Sequence, residues 1–163
     1  SMKSKYLGVL VSVAFLMSGV TQAAGSASEH QHHSHASSAP QTLQLNAGSK
    51  WKTDGTLRQV MSDINQAMTK ALPRIHRNEF SNEGYQALAR TIGQEVAHAV
   101  EHCKLEPKAD GMLHLLIAEL MGGAEAMEGK TTASRKAGAV RVREALKTYG
   151  KYFQHPGWTV PRG

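Results

Sequence analysis

The sequence predicts an all-α protein, an antiparallel, up-down-up-down four-helix bundle that follows a disordered, histidine-rich N-terminal tail. Three observations support this prediction. From Trp51 onward, apolar residues recur at spacings of three and four, and helix breakers divide the pattern into four segments. No segment alternates in the manner of a strand. Residues 24–45 contain almost no large apolar side chain, so they cannot bury enough surface to offset the entropy of ordering.

The first residues have the layout of a cleavable secretory signal peptide. Lys3 and Lys5 form a basic start, an apolar run extends from Tyr6 to Met17, and Ala23 ends a small-residue cleavage site. The apolar run is shorter than the roughly 20 residues that a membrane-spanning helix needs. We therefore predict a periplasmic protein whose mature form has no membrane span. The expected organisation is a signal peptide at 1–23, the tail at 24–50 and the four-helix bundle domain at 51–163.

Each of the four predicted helices has a start signal. The first follows the N-cap residues Thr53-Asp54, and the second follows Ser81. The third opens at Pro107, which a first helical turn tolerates, and the fourth begins near Ser134. Pro73 should kink or end the first helix near its last turn, because proline cannot donate the helical hydrogen bond.

One apolar face on each helix forms the predicted core. In the first helix, this face consists of Leu57, Val60, Met61, Ile64, Met68, Ala71, Leu72 and Ile75. In the second, it consists of Tyr85, Leu88, Ala89, Ile92, Val96, Ala99, Val100 and Cys103. In the third, it consists of Met112, Leu113, Leu116, Ile117, Leu120, Met121, Ala124 and Met127. In the fourth, it consists of Ala139, Val142, Leu146, Tyr149 and Phe153.

The composition argues against nucleic-acid binding and against catalysis. Lysine and arginine number 19 against 13 acidic residues, but the basic residues form no stripe and aromatic residues are few. No nucleophile-base-acid arrangement, glycine-rich phosphate loop or CxxC pair is visible. We therefore expect no nucleic-acid partner and no enzymatic activity. We expect solvated positions for the carboxylates of Glu79, Glu95, Glu119, Glu125 and Glu128.

The tail carries four histidines within six positions: His30, His32, His33 and His35. Neutral imidazole is a common ligand for zinc and copper, and a flexible chain can wrap several imidazoles around one ion. We predict metal binding by this segment. The alternative is a solvated linker of low complexity.

His98 and His102 lie one helical turn apart on the predicted second helix, where side chains at i and i+4 are neighbours. Such a pair can chelate a metal ion. The residues between them lack the glutamate placement of a zinc-protease motif. The alternative is an exposed pair without a site function.

In the predicted topology, the starts of helices one and three and the ends of helices two and four lie at one pole. Five residues with ligand chemistry fall at this pole: Met61, Cys103, Met112, His114 and His155. Thiolate, thioether and imidazole together suit Cu(I). The alternative is that the methionines fill core gaps and the thiol is a small buried apolar group. The chain has one cysteine, so a disulfide between two chains of a homodimer is a further option.

The domain resembles a family of uncharacterised proteobacterial periplasmic proteins with a His-rich leader and a helical bundle. The resemblance implies a location and a fold, and brings no activity with it. The matching elements after the leader are Trp51-Lys52-Thr53-Asp54, Leu57-Arg58, Met61, His102-Cys103-Lys104-Leu105, Pro107, Ala109-Asp110, Leu113-His114 and His155-Pro156-Gly157-Trp158.

The architecture is also similar to the soluble periplasmic b-type cytochrome four-helix bundle, in which a methionine on helix one and a histidine near the end of helix four bind haem iron. The apolar spacing around Met61 matches the methionine position of that family. Aligning residues 146–148 puts Gln154 at the histidine position and His155 one residue later. One residue rotates a helical side chain by about 100°. The resemblance therefore implies haem ligation by Met61 and His155 only if the last turn is distorted.

These observations predict a periplasmic transition-metal binding protein that stores, buffers or delivers its ion. Copper, as Cu(I) or Cu(II), is the first candidate and zinc the second. The expected partner is a periplasmic metal-handling protein. Two alternatives remain open: a b-type haem-binding bundle protein, and a metal-free helical interaction module that forms a homodimer.

Overall fold

The structure, a computed structural model, describes residues 42–162. Its four helices confirm the predicted all-α fold, and residues 42–162 contain no strand beyond two isolated bridges. The predicted signal peptide and the histidines at positions 30, 32, 33 and 35 lie outside the described residues. The helices are α1 (Gly55–His76), α2 (Asn82–His102), α3 (Pro107–Met127) and α4 (Arg135–Tyr152).

Three of the four helices start on a side-chain cap. The Asp54 carboxylate accepts a hydrogen bond from the Leu57 N–H at 2.7 Å. The hydroxyl groups of Ser81 and Ser134 cap α2 and α4 in the same way. α3 instead begins at Pro107. The N–H groups of a first helical turn have no partner within the helix, so a proline, which has no N–H, costs no helical hydrogen bond there. All four predicted helix starts are confirmed.

The core contains most of the predicted apolar faces. All eight predicted core residues of α1 are buried, and α1 ends within one turn of Pro73. The prediction for Val100 was wrong, because this side chain is 58% exposed. Its neighbour Ala99 occupies the core-facing position, and the next residue on a helix points about 100° away. None of the helices within residues 42–162 is long and apolar enough to cross a membrane.

α3 and α4 approach each other closely at two glycines, Gly123 and Gly138. A Cβ atom on Gly138 would lie 2.5 Å from the Gly123 carbonyl oxygen and 2.8 Å from the Ala126 Cβ atom. These distances are shorter than van der Waals contact. The α3–α4 contact therefore requires glycine at these positions.

Residues 42–50 pack against the helices. Trp51 Nε1 donates a hydrogen bond to the Gln44 carbonyl at 2.7 Å, and Lys50 Nζ donates to the Gly150 carbonyl at 2.6 Å. Leu43 contacts the core. We expected this segment to belong to a disordered tail, and the structure instead joins it to the bundle. The acceptors of these bonds are main-chain carbonyls, which every residue has. The segment therefore needs no periodic apolar side chains, and its sequence shows none.

The C-terminal segment 153–162 fastens α1 to α4. The Asn65 amide donates a hydrogen bond from α1 to the Thr159 carbonyl at 2.8 Å. The Arg143 guanidinium on α4 donates to the Pro161 carbonyl at 2.9 Å, and Trp158 Nε1 donates to the carbonyl of Leu146 at 3.2 Å. The segment therefore supplements a helix pair that shares fewer contacts than α1–α2, α2–α3 or α3–α4.

The Gly138→Ala substitution should lower the free energy of unfolding by about 1–3 kcal/mol, because overpacking forces two backbones apart. Gly93→Ala is the matched control in α2, where a Cβ atom would meet nothing within 4 Å. It should raise the free energy of unfolding by about 0.5–1 kcal/mol, because alanine favours the helix. Urea unfolding followed by circular dichroism measures both. Equal changes in the two variants would contradict the close α3–α4 approach.

Candidate functional site

The ends of three helices meet at one pole of the bundle. The Asp54 carboxylate, at the start of α1, accepts a hydrogen bond from the Lys104 N–H just after α2 at 2.6 Å. The Trp51 N–H donates to the Tyr152 carbonyl at the end of α4, and the Gln154 N–H donates to the Trp51 carbonyl, both at 2.8 Å. An up-down-up-down order of the four helices requires such contacts between these helix ends. The order of the helices itself stays a prediction.

Two of the predicted ligands at this pole line different cavities. A cavity of about 600 Å³ lies between residues 44–47 and the start of α3, and Met112 is one of its lining residues. A second cavity, of about 350 Å³, is lined by α1 residues and His155. Met61 is not among the lining residues of either cavity. The pole therefore does not present these three side chains to one common space.

Cys103 caps α2 and is half-buried beside Asp54. Burial, followed by the charge and hydrogen bonding of the Asp54 carboxylate, raises the pKa of the Cys103 thiol to about 11. The thiol is therefore protonated at neutral pH, whereas thiolate is the form that binds a metal ion. A metal ion at Cys103 would have to displace a proton that the neighbouring carboxylate stabilises.

The other predicted ligands of the pole have different surroundings. Met61 and Met112 are 1% and 8% exposed and belong to the hydrophobic core. His114 is exposed on α3, and its Nδ1 atom lies 2.9 Å from the Asp110 carbonyl oxygen, one turn earlier. The structure thus places the methionines inside the bundle and this imidazole on its surface.

Both ring nitrogens of His155 have a protein neighbour. The Tyr149 hydroxyl lies 2.9 Å from Nδ1, and the Ser62 hydroxyl lies 3.4 Å from Nε2. The ring also packs against Trp158, with centroids 4.8 Å apart. Burial and then the nearby Arg58 guanidinium lower the pKa of His155. His155 therefore fastens the C-terminal segment to α1 and α4 as a neutral imidazole.

His98 and His102 form a pair on the exposed surface of α2. Their ring centroids are 4.4 Å apart with a 48° angle between the ring planes. Both residues are exposed, and a Glu101 carboxylate oxygen lies 3.6 Å from His102 Nε2. Two imidazoles at this separation on one helical face can chelate a metal ion.

Glu95 lies one turn before His98 on α2. Burial and then the negative charge of Asp63 raise the pKa of Glu95, while His98 lowers it. Asp63 accepts a hydrogen bond from the Gln59 amide at 2.9 Å. We expected Glu95 among the solvated carboxylates, although residues 95–98 have the Glu-x-x-His spacing that helical metal sites use. That spacing was the available signal for Glu95, whereas no sequence signal pointed to Asp63.

In the conformation described, the candidate site on α2 has two ligands, His98 and His102. Within residues 42–162, no three histidine, cysteine, aspartate or glutamate side chains are arranged to hold a metal ion together. The His98 and His102 rings are both exposed and have their centroids 4.4 Å apart. This pair is therefore the best-formed candidate site in the described part of the chain.

Comparisons with protein-family models, with curated proteins and with solved structures find no match to this chain. The resemblances to the periplasmic family and to the b-type cytochrome bundle stay predictions. The function is therefore inferred from the chemistry of the chain's own residues.

The stability of the protein should fall as the pH drops through the titration range of His155. Its folded pKa lies below the ordinary value of 6.5, so the unfolded chain binds the proton first and gains stability relative to the native state. Urea unfolding between about pH 8 and pH 5 should show a decline that is smaller in His155→Asn. The same pH dependence in both proteins would contradict this assignment.

Cys103 should react slowly with iodoacetamide at neutral pH, because the thiolate is the nucleophile. Asp54→Asn removes the negative charge and keeps a side chain that caps helices well. This variant should therefore react several-fold faster at the same pH, with its rate midpoint below a pH of about 11. Circular dichroism checks that the helices persist. Superimposable pH–rate profiles would show that the carboxylate does not control the thiol.

Proposed function

We propose that this protein is an exported, periplasmic binding protein for a transition-metal ion, with copper as the first candidate and zinc as the second. The observation that carries this proposal is the exposed His98–His102 pair, with ring centroids 4.4 Å apart. The four tail histidines at positions 30, 32, 33 and 35 add ligands of the same class. Both groups of imidazoles favour Cu(II) or Zn(II).

The imidazole pair supports metal binding better than the pole does. Both rings of the pair are exposed to solvent, and imidazole is a common metal ligand in proteins. Cys103 carries a proton at neutral pH, and Met61 is enclosed by the core. For the haem alternative, Met61 does not line the cavity that His155 borders. The Cu(I) and haem hypotheses therefore have less support than the surface site.

The exposure of the pair favours storage, buffering or delivery over a permanent cofactor site. Structural metal sites are closed by four protein ligands, whereas two imidazoles leave coordination positions for water or another donor. The side chain of His102 is 50% exposed. A donor from a periplasmic metal-handling partner can therefore reach an ion bound here, which is the requirement for transfer.

Titration of the full chain with Cu(II) and Zn(II) against a chromophoric chelator tests this proposal. The double variant His98→Ala/His102→Ala should lose one class of site, with an affinity at least about tenfold weaker. Alanine at the four tail histidines should lower the stoichiometry and leave the helical circular dichroism unchanged. His76→Ala, which removes an exposed histidine of α1, is the matched control and should bind as the wild type does.

Elemental analysis and an absorption spectrum of the protein purified from the periplasm without a tag complete the test. Copper or zinc near one equivalent agrees with the proposal. A Soret band would identify the haem alternative instead. Metal binding that survives the loss of both the surface pair and the tail histidines would contradict these ligands, and a wild-type chain that binds neither Cu(II) nor Zn(II) would contradict the proposed function.

A further inference from the structure

We propose that the cavity between α1 and the C-terminal segment binds a small carboxylate anion, with the Arg58 guanidinium and the Ser62 hydroxyl as its hydrogen-bond donors. The cavity has a volume of about 350 Å³. Its lining residues are Gly55, Arg58, Gln59, Ser62, His155 and Pro156. Among these, Arg58 is the only lysine, arginine, aspartate or glutamate. The inference is independent of the proposed metal site, which lies on α2.

The α1 residues that line this cavity lie on one face of the helix. From Gly55 to Ser62 they occupy positions i, i+3, i+4 and i+7, which fall within about 100° of arc and span about 10 Å along the axis. His155 reaches this face from the C-terminal segment, where its Nε2 atom lies 3.4 Å from the Ser62 hydroxyl. The fold therefore brings two distant parts of the chain together around one polar space.

The Arg58 guanidinium is fixed at one of its nitrogen atoms. Nη1 donates hydrogen bonds to the Thr53 carbonyl at 2.9 Å and to the Thr53 hydroxyl at 3.0 Å. Among residues 42–162, no acceptor bonds its Nε or Nη2 atom, and no carboxylate pairs with it. Arg141 uses this same edge to bind both carboxylate oxygens of Glu119, with Nε at 2.8 Å and Nη2 at 3.1 Å. The corresponding edge of Arg58 is therefore suited to a carboxylate from outside the chain.

The other groups of the cavity suit a single negative charge. The 3.4 Å distance between Ser62 and His155 is longer than that of a well-formed hydrogen bond, so the hydroxyl can donate to a bound oxygen instead. Burial and then the charge of Arg58 lower the pKa of His155, so this imidazole is largely neutral at pH 7. One guanidinium matches a monocarboxylate better than dianionic phosphate, because the second charge of phosphate would lose water without gaining a partner.

Gly55 leaves the start of α1 open to the cavity. A Cβ atom at this position would meet no other part of the protein within 4 Å, so packing does not require a glycine here. The N–H groups of a first helical turn, together with the helix dipole, favour an anion. The neighbouring Asp54 does not line the cavity, and its oxygens accept hydrogen bonds from the Leu57 and Lys104 N–H groups.

Titration of the full chain with sodium acetate at neutral pH, followed by heteronuclear NMR, tests the proposal. Sodium chloride at the same ionic strength is the reference. Acetate should produce saturable shifts in the Gly55 amide and Arg58 Nε–H signals. Arg58→Gln should weaken acetate binding at least about tenfold, and Ser62→Ala several-fold. Arg90→Gln is the matched control, because it removes the same charge from an exposed position on α2, and it should bind acetate as the wild type does.

Gly55→Glu gives a second test that keeps both donors. Its carboxylate stands one turn before Arg58 and occupies the guanidinium from within the chain. Acetate binding should be lost, while circular dichroism shows the same helices. Saturable shifts that persist in both Arg58→Gln and Gly55→Glu would overturn the proposal, as would acetate shifts in the wild type that do not exceed those of chloride. Inorganic phosphate that binds more tightly than acetate would overturn the choice of a carboxylate.

Discussion

The Asp54 carboxylate is the interaction on which the pole of the bundle depends. It accepts hydrogen bonds from the Leu57 N–H, which caps α1, and from the Lys104 N–H, which follows α2. A negative charge at a helix N-terminus is also favoured by the helix dipole. Because the same carboxylate lies beside Cys103, the group that fixes two helix ends also adds to the effect of burial in raising the pKa of the thiol. Helix geometry and thiol chemistry at this pole therefore both depend on Asp54.

The helices could be predicted because their signals are local. Caps such as Ser81 and Ser134 precede their helices directly, and the core face of α1 follows from periodicity alone. Features that depend on another element were missed. Residues 42–50 are held by the bond from Lys50 to the Gly150 carbonyl and by the bond from Trp51 to the Gln44 carbonyl. Gly123 is buried because α4 approaches it closely. Neither fact leaves a periodic trace in the sequence.

The same distinction applies to the candidate site. His98 and His102 are neighbours because they share a helix, so their spacing predicts their proximity. Glu95 carried a comparable spacing signal. Asp63 lies on α1, and its position relative to Glu95 depends on the register between two helices, which the packing of the whole core determines. Proximity within one helix is therefore accessible from sequence, whereas a neighbour on a second helix requires the fold.

The C-terminal segment that fastens α1 to α4 has a consequence for how the molecule comes apart. The α3–α4 contact has no room for a Cβ atom at its two glycines. The α1 and α4 helices pack against each other less extensively. They rely on hydrogen bonds from Asn65 to the Thr159 carbonyl and from Arg143 to the Pro161 carbonyl. Local opening begins where few buried contacts must break. The last ten described residues thus act as a latch on the weakest side of the bundle. A protease that trims them would expose α1 while α3 and α4 remain paired.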